Sequence, residues 1–353
     1  MNLDQHEMFV HLDVSDMYAA IDGLPQQLEV AWQTGMQQPL PVMRGLKYVV
    51  VAGMGGSAIG SDLLAGYLEG LGSLPMVVHR DYDLPAWAKG SETLVIASSH
   101  SGNTEETLSA FSRAVEKGCQ VVAVSRGGKL AEAAQKAGVT WWSFEHEGQP
   151  RAAVGFSFGL LLALMARLGF VADPEQELAR AVAAMKAQQV QLRAEVATAQ
   201  NPAKQMAADL AGHWVSVFAS GMLNAVARRW KGQISEVAKA WAQFEFLPEA
   251  DHNTLAGVFH PQGVLQQARM VFLESGSDHV RNQLRLKLTR KGFENVGLQT
   301  AAYQAQGDSP LAHMWTTLHF GDYLAYYLSM LYEVDPTPVE AIETLKKDML
   351  KGV

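Results

Sequence analysis

Short apolar runs alternate with longer stretches of helical spacing through the first half of the chain. Leu46–Ala52, Met76–His79, Thr93–Ser98, Gln120–Ser125 and Thr140–Phe144 are too short for buried helices and read as strands. Ser57–Leu71, Thr104–Lys117, Lys129–Ala137 and Arg151–Leu168 carry apolar residues every three or four positions and read as helices. Strands that are apolar almost throughout need cover on both faces, so the pattern predicts an α/β fold with a parallel sheet between helix layers. Asp173-Pro174 then opens a long helix, Glu175 to Gln200, which Asn201-Pro202 ends. The alternation resumes with strand Val215–Ala219 and helix Met222–Trp241, strand Arg269–Glu274 and helix Asp278–Lys291, and strand Val296–Thr300 and helix Pro310–Tyr332. A last helix, Val339–Leu350, follows Asp335-Pro336-Thr337-Pro338.

This rhythm divides the chain into four parts. Residues 1–40 are a helical extension, 41–172 a first βα unit, 173–205 a helical connector, and 206–353 a second unit with the last helix. Ala52-Gly53-Met54 and Ser220-Gly221-Met222 occupy equivalent places, as a degenerate duplication would leave them. A chain of 353 residues, 48% hydrophobic and 18% charged, is long enough for two globular domains and too apolar for a disordered one. Its formal charge of −8 argues against a nucleic-acid partner, which calls for a basic face. A single cysteine, Cys119, permits no internal disulfide and fits a reducing compartment. Residues Met1–Glu7 hold no apolar signal core, and the apolar stretch Val154–Leu164 is short and bounded by Arg151 and Arg167. The expectation is a cytoplasmic protein without a membrane partner.

Two turns carry the chemistry. Gly53-Met54-Gly55-Gly56-Ser57-Ala58 follows a strand and opens a helix, where small residues let a ligand approach the backbone and free N–H groups attract an anion. Alone it also satisfies G-x-G-x-x-A, so a nicotinamide dehydrogenase stays open at this point. Ser98-Ser99-His100-Ser101-Gly102-Asn103-Thr104-Glu105 follows the third strand and opens the next helix. A plain helix cap uses one hydroxyl; Ser99, Ser101 and Thr104 offer three at one helix N-terminus, which points to a phosphate-sized anion. A dinucleotide fold has no use for this second loop. The second strand also ends in His79-Arg80-Asp81 without a clear ribose-binding acid at its tip.

The Gly-Gly-Ser turn paired with Ser-x-Ser-Gly-Asn-Thr-x-Glu resembles the sugar isomerase (SIS) domain, a five-stranded parallel sheet flanked by helices that binds phosphorylated sugars. The resemblance implies that Gly56, Ser57, Ser99, Ser101 and Thr104 hold a substrate phosphate. Two other SIS contexts lack their required part here. A transcriptional regulator would carry a basic helix-turn-helix, yet Arg44 is the sole Lys or Arg in residues 1–45; a glutamine-dependent synthase would need an N-terminal cysteine. From about residue 45 onward the chain resembles the bifunctional phosphoglucose/phosphomannose isomerases, which consist of two SIS domains. The matching stretches are Pro150-Arg151-Ala152, Gln233-Ile234-Ser235-Glu236-Val237-Ala238-Lys239, Leu247-Pro248-Glu249-Ala250-Asp251-His252-Asn253, Ser309-Pro310-Leu311, Gly321-Asp322-Tyr323 and Val339–Lys346.

The resemblance gives these residues roles. Moving a carbonyl between C1 and C2 of a hexose 6-phosphate needs a base, implied to be Glu236, and a fixed cation for the cis-enediolate, implied to be Arg151. His252 and Lys346 are the implied ring-opening pair, with His252 supplied by the partner chain of a homodimer. Glucose 6-phosphate and mannose 6-phosphate are the implied aldoses and fructose 6-phosphate the ketose; Thr337 lies where the choice between the aldoses is set. The reaction implies no metal and no cofactor, and no His, Asp or Cys spacing in the chain indicates a metal. Val237 and Thr254 depart from the family pattern, which has Asn and Glu there. The rival reading is a catalytically silent SIS protein that senses a sugar phosphate.

Overall fold

The computed structural model describes residues 1–352. A 3-10 turn, His6–His11, and two helices, α1 (Met17–Asp22) and α2 (Leu24–Gln37), precede the first strand. The first sheet then forms from β1 (Tyr48–Ala52), β2 (Met76–His79), β3 (Thr93–Ser98), β4 (Gln120–Val124) and β5 (Thr140–Trp142), all parallel. Its crossovers are α3 (Gly55–Leu68), α4 (Glu105–Glu116) and α5 (Gly128–Ala137), and α6 (Val154–Arg167) closes the unit. The strand order is β2-β1-β3-β4-β5, so the chain reverses direction across the sheet between β1 and β3. In an open parallel sheet that reversal leaves a crevice at the carboxyl ends of the two central strands, where ligands bind. The glycine turn follows β1 and the serine turn follows β3. The order also differs from the 3-2-1-4-5-6 of the dinucleotide fold.

The connector is interrupted where a single helix was expected. Helix α7 runs Glu175–Leu192, a 3-10 turn occupies Thr198–Gln200, and α8 (Pro202–Leu210) starts behind the cap of Asn201, whose side chain accepts from the amides of Ala203 and Lys204. Lys204 explains the break. Its ammonium is fully buried and donates to the carbonyls of Leu3, Ala194 and Val196, supplying the loop with the bonds that a helix would have made internally.

The second sheet is built from β6 (Trp214–Ser220), β7 (Ala242–Leu247), β8 (Ala268–Glu274) and β9 (Gln299–Gln304), in the order β7-β6-β8-β9 and again parallel. Its helices are α9 (Leu223–Glu236), the short α10 (Gln262–Leu265), α11 (Val280–Asn295) and α12 (Pro310–Leu331), and α13 (Glu340–Lys351) ends the chain. Five strands were expected here and four are present among the described residues. After β9 the chain dives into α12, buried from Leu311 to Met330, and the segment behind it carries Pro336 and Pro338, which cannot donate to a ladder.

One apolar cluster joins both sheets, with Trp142, Phe158, Trp230, Trp315, Tyr323 and Tyr327 among its fully buried side chains. The first forty residues are part of it. Leu24, Leu28, Ala31 and Trp32 of α2 pack against α6, and the Asp22 carboxylate meets Arg193 and the Tyr323 hydroxyl. The stretch Pro150–Arg167 is long and apolar enough to cross a membrane, but 78% of it is buried inside the protein, as a core helix would be.

Candidate active site

The glycine turn and the serine turn are locked to each other. Ser57, in the first turn of α3, accepts the amide of His100 on its hydroxyl at 3.1 Å. Within the serine turn, Ser99 Oγ lies 2.8 Å from Thr104 Oγ1 and accepts the Gly102 amide at 3.1 Å, and Ser101 Oγ accepts the Asn103 amide at 3.2 Å. Gly102 is required here: its φ is +70°, and a Cβ would stand 1.8 Å from the Gly127 carbonyl oxygen. Ser57 and Ser99 are buried, and Ser101 is exposed. Behind the turn, His100 Nε2 pairs with His146 Nδ1 at 3.0 Å beside Phe144 and Phe156. Burial pushes His100 down to about 4, with His146 and Arg126 adding to the effect, so both imidazoles are neutral at neutral pH.

The start of α3 also touches the turn before α6. Gly56 approaches it so closely that a Cβ would stand 2.4 Å from the Pro150 carbonyl oxygen. This contact sets Arg151, whose side chain is 3% exposed, beside the glycine turn. Arg151 Nη1 lies 3.8 Å from Glu236 Oε2, and Glu236, the last residue of α9, is 34% exposed. Arg151 Nη2 donates to the carbonyls of Pro336 (2.9 Å) and Thr337, which holds the segment between α12 and α13 against the site. Its Nε is buried without a partner among the described residues, as is Thr337 Oγ1. Burial pushes Arg151 down from its ordinary value and Glu236 opposes this; a guanidinium stays charged regardless. Lys239, at φ +56°, donates from Nζ to the Glu236 carbonyl at 2.6 Å and to the Pro336 carbonyl at 3.3 Å.

A cleft of about 450 Å³ opens between the two halves at this point. Gly56, Arg151 and Glu236, three of the residues expected from the sequence, line it together with Gly55, Ile59 and Gln233. Ser57, Ser99, Ser101, Thr104, His252 and Lys346 do not. His252 is exposed at the end of a 3-10 turn, Glu249–His252, that Asp251 anchors to Arg285 (2.8 Å) and Thr289 (2.6 Å), and Lys346 is exposed on α13. The equivalent crevice of the second sheet, between β6 and β8, is filled by its own groups. Ser220 donates to Asp278, and the hydroxyls of Ser275 and Ser277 each lie 2.9 Å from His313 Nδ1. No cluster of three or more His, Cys, Asp or Glu suited to a metal occurs among the described residues.

Residues 199–349 match the model of the bacterial phospho-glucose isomerase C-terminal SIS domain. The chain is 37% identical to the bifunctional phosphoglucose/phosphomannose isomerase of Caldicellulosiruptor bescii over 94% of this chain and 98% of that protein. The chain belongs to the bifunctional phosphoglucose/phosphomannose isomerase family. The enzyme of that name from Aquifex aeolicus is 30% identical over 96% of this chain and 99% of its own length. Among solved structures, a hypothetical protein of Thermus thermophilus shares the fold, with a TM-score of 0.71 at 17% identity over 95% of this chain and 90% of that one.

Part of the cleft is built from residues that were not expected from the sequence. Arg80, Arg228, Arg229, Lys231 and Phe244 also line it, and sequence reasoning singled out none of them. Signals existed. Arg80 directly follows β2 at the carboxyl edge of the sheet, where ligands collect, and Arg228-Arg229-Trp230-Lys231 is a basic run on the helix that ends in Glu236. Arg229 has a structural duty: it pairs with Asp322 of α12 through bonds of 3.1 and 2.7 Å, with both side chains nearly inaccessible.

Proposed function

We propose that this chain is an aldose–ketose isomerase that interconverts glucose 6-phosphate and mannose 6-phosphate with fructose 6-phosphate. Members of its family bear the name phosphoglucose/phosphomannose isomerase, and the observation that carries the reading is Arg151 and Glu236 facing each other in the cleft that the glycine turn opens. The Glu236 carboxylate takes the C2 proton of the open-chain aldose. The electron pair of that C–H bond becomes the C1–C2 double bond, and the carbonyl oxygen gathers negative charge. Arg151, which lines the cleft, faces that oxyanion as a fixed cation in this reading. Return of the proton from Glu236 to C1, with transfer of the O2 proton to O1, leaves the ketose. The phosphate rests in this reading on Gly56, Ser57, Ser99, Ser101 and Thr104, where hydroxyls and helix N-termini replace basic side chains. Thr337, whose carbonyl accepts from Arg151, lies beside the site, and this reading gives it the sorting of the C2 epimers.

The reading includes a cytoplasmic homodimer. Its domains are residues 41–172 and 206–353, with 1–40 as extension and 173–205 as connector. His252 would reach the partner's cleft, and Lys346 would complete the ring-opening pair. Two bare helix faces support an interface between copies: Val280, Leu284 and Leu288 on α11, beside the His252 turn, and Ile342, Leu345 and Met349 on α13. Mixing inactive Glu236→Gln with inactive His252→Ala under subunit exchange is expected to restore about a quarter of wild-type activity. Half of randomly formed dimers are mixed and each holds one intact site, by two-fold symmetry. No recovery despite proven exchange would place His252 in its own chain's site or outside catalysis. The experiment for the reading as a whole is fructose 6-phosphate formation from each aldose phosphate, with and without EDTA, while NAD(P)H absorbance is followed. Turnover indifferent to EDTA and silent in absorbance is expected; binding without turnover would favour the sensor.

A further inference from the structure

The charge in the cleft exceeds what one phosphate and one enediolate use. Arg80, Arg151, Arg228, Arg229 and Lys231 line it. Arg151 faces Glu236, and Arg229 is neutralised by Asp322. Lys239 and Asp335, which both act on Arg151, offset each other. Arg80 and Arg228, by contrast, share one carboxylate. Both approach the same oxygen, Asp62 Oδ2, Arg228 Nη1 at 2.6 Å. Lys231 has no carboxylate within 4 Å among the described residues. Five cations against Glu236, Asp62 and Asp322 leave two positive charges over, both at this end, in a protein whose net charge is −8.

The geometry keeps these cations available. Arg80 commits one nitrogen, Nη2, to Asp62 and to the Ala58 carbonyl, and Arg228 commits Nη1 to Asp62, so most of their N–H donors remain. The Arg228 guanidinium is braced over Phe244 at 5.3 Å and Phe246 at 5.9 Å, so its planar fork is held before a ligand arrives. Gly55 and Gly56 line the same cleft and directly precede Ser57. One ligand in the cleft therefore meets the α3 N-terminus and this basic wall together.

We infer that Arg80, Arg228 and Lys231 form a second anion-binding position, and that the cleft takes sugar bisphosphates, phosphorylated at both ends, as inhibitors that compete with the monophosphate substrate. A phosphate ester on O1 prevents a bisphosphate from being isomerised, since the hydroxyl that would become the aldehyde is blocked. The inference rests on the proposed isomerase reading, in which the serine turn holds the first phosphate.

The test is calorimetric binding at fixed ionic strength of fructose 6-phosphate, fructose 1-phosphate and fructose 1,6-bisphosphate to wild type, to Arg228→Gln/Lys231→Gln and to Ser101→Asp. Wild type is expected to bind the bisphosphate about tenfold more tightly than fructose 6-phosphate, the factor that one charge-assisted contact provides. In the double variant that ratio is expected to fall towards one, with a circular dichroism melt to verify folding; Lys231→Gln alone, which leaves the Asp62 pairs intact, repeats the test should the double variant unfold. A wild-type ratio near one, or a ratio unchanged in folded variants, overturns the second position. Fructose 6-phosphate binding Ser101→Asp as tightly as wild type instead overturns the serine-turn reading on which the inference rests.

Discussion

The contact between the glycine turn and the turn that carries Arg151 makes a sharp prediction for Gly56→Ala. Gly56 is the second residue of α3, with no left-handed φ, so alanine fits the backbone there and is the better helix former by about 1 kcal/mol. The new methyl would stand 2.4 Å from the Pro150 oxygen, 2.7 Å from its carbonyl carbon and 3.1 Å from the Arg151 nitrogen, all main chain. Relief to ordinary van der Waals distance needs a relative shift of roughly 1 Å between α3 and the Pro150-Arg151 turn. Overpacking of this kind costs ~1–3 kcal/mol, partly offset by the helix propensity, so stability falls by about 0–2 kcal/mol. Activity is expected to fall much further, by about 10²-fold, since misplacing a catalytic group by 1 Å has that effect. The comparison is Gly70→Ala, whose added methyl meets nothing within 4 Å. Urea unfolding and initial rates of fructose 6-phosphate formation on both variants decide the matter. Gly56→Ala with activity within threefold of Gly70→Ala would refute the idea that this contact sets the site.

Asp322→Ala strands the Arg229 guanidinium in the core and is expected to cost about 3–5 kcal/mol in urea unfolding; replacing both partners by Arg229→Met/Asp322→Leu should recover most of that loss. The His100–His146 pair predicts acid sensitivity. Both imidazoles titrate below their unfolded value of about 6.5, so the folded state binds fewer protons, and stability present above pH 6.5 is lost as pH falls towards 4. His319, pushed down by complete burial, adds the same sign. His100→Phe should reduce the drop in the urea midpoint between pH 7 and pH 5, and an unchanged drop would remove His100 from the explanation.

Much of the first sheet was legible because its strands are continuous apolar runs punctuated by Gly and Ser, and the two turns that matter sit at strand ends. The second sheet was harder. The helix Met222–Trp241 was expected to continue past Glu236, since Val237 and Ala238 keep the apolar spacing, but Lys239 takes a left-handed φ and the chain turns into β7, Ala242–Leu247. A non-glycine residue in that conformation leaves no mark in the sequence. The last strand lies at Gln299–Gln304 rather than Val296–Thr300, because Val296 and Leu298 close α11 through bonds to Phe293. An edge strand rich in Gln and Ala carries little pattern. In the site, Arg151 and Glu236 were visible through family motifs, whereas Arg80 and Arg228 meet through Asp62, more than a hundred residues from Arg228, and only the packing of α3 on α9 brings them together.

The central claim is that Glu236 is the base of an aldose–ketose isomerisation on phosphorylated hexoses. Its most direct test is the turnover of glucose 6-phosphate and mannose 6-phosphate to fructose 6-phosphate by wild type and by Glu236→Gln, which keeps the size of the side chain and cannot accept the C2 proton. Turnover by the wild type and a fall of ~10²–10⁴ in the variant, with an unchanged melting curve, is the predicted result. A folded variant that retains more than a tenth of wild-type turnover would contradict the account.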